Sequence, residues 1–251
     1  MVLGEGLVFA SILIFAFIRL YNGLRREVLL AKKERNFMLS VSHELKTPIA
    51  AIKLSLDALG RADLPDAKRA GLLLHSNREI RRLQSLTENI LLASQLDEIT
   101  TVEKRQVVEF SKLLEEECLR FQQMSGREIF RDIKDGVHVF ADAEMLRAVF
   151  SNLIDNAIKY SPHGGAIKVF LTGERPNFEV KISDEGVGIS DHEKDRIFQR
   201  FYRSNDEITR STSGTGLGLH IVKTICQLYN YKLSVENSSA KGSVFIIQIT
   251  T

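Results

Sequence analysis

Ser42-His43-Glu44-Leu45-Lys46-Thr47-Pro48 sits inside a run whose apolar residues recur at Met38, Val41, Leu45, Ile49, Ile52, Leu56 and Leu59. Steps of three and four place these on one stripe of a helix. At about 100° per residue His43 points away from that stripe, because Val41 and Leu45 each lie two residues from it. Thr47 is one turn further along on the same side, and Glu44 sits beside it. The spacing predicts a long packed helix that presents an imidazole, a carboxylate and a hydroxyl to solvent. Pro48 has no N–H to give to the carbonyl of Glu44, so an interruption or loosened turn is expected just after His43. A lone exposed histidine beside a tolerated proline is usually a plain surface residue. What gives this one a role lies further along the chain.

Outward from this stretch, the helical pattern runs from about Leu24 to Leu59 and stops at a turn over 60–66, where Gly60 ends one helix and Pro65 starts the next. A second helix is expected over 66–96, with Ile80, Leu83, Leu86, Ile90 and Ala93 as its stripe. Two antiparallel helices with one stripe each cannot cover each other fully. A four-helix bundle made by two chains is the expected completion, with packing on the chain's own C-terminal part as the alternative.

Before the hairpin, 7–18 is apolar apart from Ser11, shorter than the roughly 20 residues that cross a bilayer. Arg19, Arg25, Arg26, Lys32, Lys33 and Arg35 follow, against Glu27 and Glu34, with Tyr21 at the boundary. This is the positive-inside pattern, and no small-residue cleavage site follows the run. A transmembrane segment over 1–23, cut short or interrupted at its outer end, is expected, with the rest of the chain cytoplasmic. The 251 residues have room for one large or two ordinary domains. A composition 44% hydrophobic and 26% charged is that of a globular protein. A net charge of +2 without a basic, aromatic-interleaved stretch gives no reason to expect nucleic acid. Cys118 and Cys226 share no metal-ligand spacing and read as reduced structural thiols.

A charged, threonine-rich linker is expected over 97–105, and the pattern then changes to alternating strands and helices. Strands are expected over 106–109, 128–132, 137–141, 166–172, 178–183, 232–236 and 242–250. Helices are expected from Asp142, an N-cap residue, to Tyr160 and over 218–229. The order suggests a two-layer α/β sandwich.

Three stretches here share a ligand logic. Asn152, Asn156, Lys159 and Tyr160 can share one helix face; amide oxygens suit a hard cation and a lysine beside them suits phosphate. Asp184-Glu185-Gly186-Val187-Gly188 ends an apolar strand, where a carboxylate can accept from an exocyclic amine and glycines let a flat ring approach. Gly214-Thr215-Gly216-Leu217-Gly218-Leu219 opens a helix and offers successive N–H groups to an anion. It is neither a Walker motif nor a dinucleotide fingerprint. Between the last two stretches lie Phe198, Phe201, Tyr202 and Arg203, then a polar stretch over 204–213, long enough for a lid over a nucleotide.

In this order and spacing the stretches resemble the H, N, G1, F and G2 boxes of two-component sensor histidine kinases, from about residue 30 to the end. The resemblance implies a HisKA-type dimerisation and phosphoacceptor hairpin over 24–98. It implies a GHKL-type catalytic domain over 99–251, with the fold shared by type II topoisomerases and MutL-type mismatch-repair ATPases. It implies that His43 is the phosphoacceptor and Glu44 its acid–base neighbour. Thr47 stands where phosphatase-active members place a polar residue, which implies dephosphorylation of the partner as well. Asn156 would hold Mg²⁺ with Asn152 beside it, and Lys159 and Tyr160 would contact the ATP phosphates. Asp184 would read the adenine amino group, with Gly186 and Gly188 shaping its pocket. Gly214, Thr215, Gly216, Leu217 and Gly218 would line the lid and phosphate end, and Arg203 would reach the γ-phosphate. The implied protein is a homodimer in the inner membrane of a bacterium, its catalytic part in the cytoplasm and its partner the receiver domain of a response regulator.

Neutral imidazole is a competent nucleophile near pH 7, and Glu44 can take or hold the proton on the other ring nitrogen. Pro48 would then be a hinge between signal and catalysis. Two other functions compete: a conformational ATPase that hydrolyses ATP without labelling the protein, and a nucleotide-binding scaffold. The first gives the Ser42–Pro48 stretch no role; the second, which only scaffolds or dephosphorylates its partner, predicts nucleotide binding without labelled His43. His75, His138, His163, His192 and His220 have no partner spacing and read as surface or packing residues.

Overall fold

A computed structural model describes residues 2–61, 63–96, 104–162, 164–204, 214–238 and 241–251. The single helix α1 (Val2–Leu59) carries the Ser42–Pro48 stretch, and α2 (Asp66–Leu96) folds back along it. The N–H of Gly60 donates to the carbonyl of Leu56 at 3.1 Å as α1 ends, and Asp66 places a negative charge at the start of α2. The helix runs on through Pro48, so the interruption expected there is not a break. Pro48 is buried, and that packing offsets the roughly 3 kcal/mol a proline costs a helix interior. Nearby, the Thr47 hydroxyl donates to the carbonyl of His43 at 3.2 Å.

Each helix turns part of its apolar surface inward. Leu83, Leu86 and Ile90 are half-buried and Ala93 is buried. Met38, Ile49, Leu56, Leu73, Leu74 and Ile80 stay exposed. Among the described residues no helix is long and apolar enough to cross a membrane. Residues 2–23, within the segment expected to be transmembrane, form the first part of the 58-residue helix α1. Most of the linker expected over 97–105 lies outside the described residues.

Beyond the hairpin, β1 (Gln106–Glu109) pairs antiparallel with β3 (His138–Ala141). Five strands make the main sheet: β2 (Ile129–Ile133), β4 (Ile167–Glu174), β5 (Asn177–Ser183), β6 (Lys232–Asn237) and β7 (Ser243–Thr250). Their order is β2-β4-β5-β7-β6, with β2 parallel to β4 and the other pairs antiparallel. Alternation along β4 and β5 buries Ile167, Val169, Leu171, Phe178, Val180 and Ile182 on one face. Helices α3 (Phe110–Ser125), α4 (Ala143–Tyr160) and α5 (Gly218–Leu228) supply the second layer through Leu114, Phe150, Leu153, Ile154, Ile221 and Ile225. The two-layer sandwich is therefore as expected.

Helix α3 was not expected, although Phe110, Leu113, Leu114, Cys118 and Phe121 follow helical spacing and are buried. It ends at Gly126, whose N–H donates to the carbonyl of Gln122 at 2.9 Å. Both cysteines are free and buried, and burial pushes each thiol up to about 12. Helix α2 packs against α5, which seats the sheet domain on the hairpin.

Candidate active site

The Asp142 carboxylate caps α4 by accepting the N–H groups of Glu144 at 2.8 Å and Met145 at 3.3 Å. Val149, Phe150, Leu153, Ile154 and Ala157 then face the core. Asn152, Asn156, Lys159 and Tyr160 line a cleft between the sheet domain and α2. Its volume of about 2050 Å³ exceeds the roughly 300–1,000 Å³ of ordinary ligand sites. It has room for a nucleotide and runs on past Arg82 and Asn89 of α2. Lys159 is paired with Asp155 one turn back on α4, so its ammonium already stands beside an acceptor at the rim.

At the inner end of the cleft the Asp184 carboxylate is 2% exposed. Its Oδ1 accepts the N–H of Gly186 at 2.8 Å and of Ser243 at 3.3 Å, and its Oδ2 accepts the Ser243 hydroxyl at 2.5 Å. A buried carboxylate held by three donors keeps a fixed orientation. Gly186 has no room for a side chain: a Cβ there would lie 2.6 Å from the carbonyl oxygen of Tyr160. Asn237 pins the neighbouring backbone by accepting the N–H of Ile189 and donating to its carbonyl, both at 2.9 Å.

The glycine loop closes the opposite side. Gly216 has φ +72°, and its carbonyl accepts the N–H of Phe201 at 3.0 Å. Phe201 in turn stacks on Phe37 of α1. Tyr202 donates to Glu193 at 2.8 Å; this bond first, and that from Ser190 second, hold the Glu193 carboxyl below its ordinary value. The N–H of Gly214 donates to Glu44 Oε1 at 2.9 Å, and Arg82 donates to Glu44 Oε2 at 3.2 Å. The carboxylate next to His43 therefore sits in the cleft, with its side chain 11% exposed, rather than in solvent as the hairpin pattern suggested. The sheet domain covers that side of α1. His43 and Thr47 remain exposed, as expected.

Two family models match this arrangement. The model described as "His Kinase A (phospho-acceptor) domain" matches residues 33–99, and that described as "Histidine kinase-, DNA gyrase B-, and HSP90-like ATPase" matches residues 141–251. The chain belongs to the sensor histidine kinase family. A curated relative, sensor histidine kinase RppB of Synechocystis, is 33% identical over 87% of this chain and 49% of its own length. This chain thus spans about half the length of the curated relatives it matches. The solved histidine kinase AdeS of Acinetobacter baumannii is 26% identical with a TM-score of 0.57, covering 83% of this chain and 97% of AdeS. Histidine kinase ThkA, solved in complex with response regulator TrrA, shares the fold at 24% identity and a TM-score of 0.56, over 90% of this chain and 64% of that one.

The histidine kinase boxes converge on one cleft. Glu44, Asn152, Asn156, Lys159, Tyr160, Asp184, Gly188, Arg203, Gly214, Thr215, Gly216 and Gly218 all line it. His43, Thr47, Gly186 and Leu217 do not: His43 and Thr47 are exposed outside the lining, Gly186 stands behind Asp184, and Leu217, whose apolar side chain is fully buried, packs into the core. Asn152 is held by the carbonyl of Ala148 at 2.8 Å and by Asn89 of α2 at 3.2 Å. Most of the polar stretch expected as a lid, 205–213, lies outside the described residues. Sequence reasoning missed Ser243, Asn237, Arg82 and Asn89, which act through partners far along the chain.

Proposed function

We propose that the chain is an ATP-dependent protein-histidine kinase that phosphorylates itself on His43. One observation carries the reading: the carboxylate of Glu44, next to His43, lies in the nucleotide cleft and accepts the N–H of Gly214. The phosphoacceptor stretch and the phosphate end of the cleft are thereby adjacent within one chain. The lone pair of one imidazole nitrogen of His43 attacks the γ-phosphorus in line with the leaving group. As the N–P bond forms and the bond to the bridging oxygen breaks, ADP leaves with that electron pair. Glu44 takes the proton from the other ring nitrogen, so the phosphohistidine is neutral at the ring. Asp184 orients the adenine, and Lys159, Tyr160, Arg203 and the Gly214–Gly218 loop meet the phosphates.

Among the described residues no three His, Cys, Asp or Glu side chains gather as a metal site. The Asn156 amide in the cleft, with phosphate oxygens as the remaining donors, fits a hard cation that enters with its nucleotide. Asn156 would hold Mg²⁺, which when bound neutralises phosphate charge.

Residues 24–98 serve as dimerisation and phosphoacceptor hairpin and 99–251 as catalytic domain. The exposed Met38, Ile49, Leu56, Leu73 and Leu74 support a homodimer that closes a four-helix bundle. The phosphoryl group passes to an aspartate on the receiver domain of a response regulator, the kind of partner ThkA has in its complex, and Thr47 serves dephosphorylation of that partner. Ile12, Ile14, Phe15, Phe17, Ile18, Leu20 and Tyr21 are exposed on all sides of α1, which supports membrane contact there. In this reading the protein sits at the inner membrane with its catalytic part in the bacterial cytoplasm.

The test is incubation with γ-labelled ATP and Mg²⁺. Protein-bound label stable to alkali, lost in acid and absent in His43→Ala is expected. ATP hydrolysis without such label overturns the reading.

A further inference from the structure

Arg82 lies across the hairpin from Glu44 and reaches its Oε2 at 3.2 Å. The other oxygen, Oε1, accepts the Gly214 amide. A carboxylate this covered needs charge-assisted partners, and Glu44 takes one from each side of the junction between hairpin and sheet domain. The two donors differ in what a nucleotide does to them. Gly214 belongs to the loop assigned to the phosphates, so an incoming phosphate oxygen competes with Glu44 for its N–H. Arg82 sits on α2 of the same hairpin as His43, where its guanidinium, 43% exposed, also lies 3.9 Å from Glu79.

We propose that Arg82 is a positioning residue for phosphoryl transfer. It keeps the Glu44 carboxylate at the rim of the cleft, beside His43, while the Gly214 amide passes from Glu44 to the phosphate chain. The guanidinium neither gains nor loses a proton in the step. It fixes the acceptor of the imidazole proton and leaves the nucleophile and leaving group to others. This rests on the histidine kinase reading and adds to it a residue outside the boxes.

The competing role is a direct contact between Arg82 and the phosphates, since Arg82 lines the same cleft as Lys159, Tyr160 and Gly214, which are assigned to them. A positioning role changes kcat through Glu44, whereas a phosphate contact changes KM. The experiment measures initial rates of autophosphorylation across ATP concentrations for the full chain. It uses wild type, Arg82→Ala, Arg82→Lys, Glu44→Gln and the Glu44→Gln/Arg82→Ala double variant. Arg82→Ala is expected to lower kcat about five- to tenfold with KM for ATP within about twofold of wild type. Arg82→Lys, which keeps the charge, is expected to recover part of the loss and guards against a variant that merely unfolds. In the Glu44→Gln background Arg82→Ala is expected to change nothing further. A raised KM with kcat retained overturns the proposal in favour of phosphate contact, and equal losses in both backgrounds overturn it as well. Glu44→Gln at wild-type rate removes the group that Arg82 is said to position and overturns it too. Absence of acid-labile label on the wild type is a different failure, that of the kinase reading itself.

Discussion

The rings of Phe37 and Phe201 stack with centroids 4.1 Å apart and planes 27° apart. Phe37 lies six residues before His43 on α1, and Phe201 holds a φ of +63° against the glycine loop. A non-glycine residue at positive φ costs about 1–2 kcal/mol; here the bond to Gly216 and the ring beneath offset it. The pair joins α1, the helix that carries His43, to the glycine-loop side of the cleft.

Phe37→Ala is therefore expected to loosen the sheet domain from the hairpin without unfolding either. The stack itself contributes about 0.5–1.5 kcal/mol beyond its buried area. Small-angle scattering should show a larger radius of gyration at unchanged helical circular dichroism. An unchanged radius would show that α2 and α5 hold the domains without it.

Asp184→Ala should weaken ATP binding at least about tenfold, since a hydrogen bond to a charged group contributes roughly 1.5–3 kcal/mol. Ser243→Ala should weaken it by less, about fivefold, because it frees the carboxylate to turn while Gly186 still donates to it. Titration with a fluorescent ATP analogue separates the two. Equal affinities for Ser243→Ala and wild type would leave Ser243 a purely structural partner.

The glycines of the loop should not respond alike. A Cβ on Gly216 would lie 2.8 Å from the carbonyl oxygen of Tyr202 at φ +72°, whereas one on Gly214 would meet nothing within 4 Å. Gly216→Ala should cost about tenfold in nucleotide affinity and Gly214→Ala less than about twofold. The same titration reads both, and a reversed order would contradict the loop's geometry.

Glu193 supplies a pH signature. Its carboxyl is held below the ordinary 4.5, first by the Tyr202 hydroxyl and then by that of Ser190. A depressed folded value contributes stability that is complete above 4.5 and lost as pH falls through the folded value. Urea midpoints for wild type and Tyr202→Phe should therefore differ near neutrality and converge as the pH falls below 4.5 through the lowered folded value. A constant gap across that range would assign the effect to packing alone.

The hairpin and the exposure of His43 and Thr47 were legible because they rest on periodicity within one helix. The sandwich was legible from alternation in the strands and from the Asp142 cap. The direction of Glu44 was not, since hairpin periodicity cannot show that a second domain covers one side of α1. Ser243 stands 59 residues from Asp184 and Arg82 stands 38 from Glu44, separations at which no local spacing carries a signal. Helix α3 is different: its stripe of Phe110, Leu114, Cys118 and Phe121 follows helical spacing within the sequence itself.

Between Phe15 and His43 the helix α1 is continuous and contains no proline. Over those 28 positions a helix rises roughly 42 Å. Such a rod transmits torque. Turning its far end by one residue's step, about 100°, would swing His43 from one flank of the hairpin toward another, and an axial slide of the same step would move it only about 1.5 Å. A stimulus that twists α1 thus acts on His43 with far greater leverage than one that pushes or pulls it.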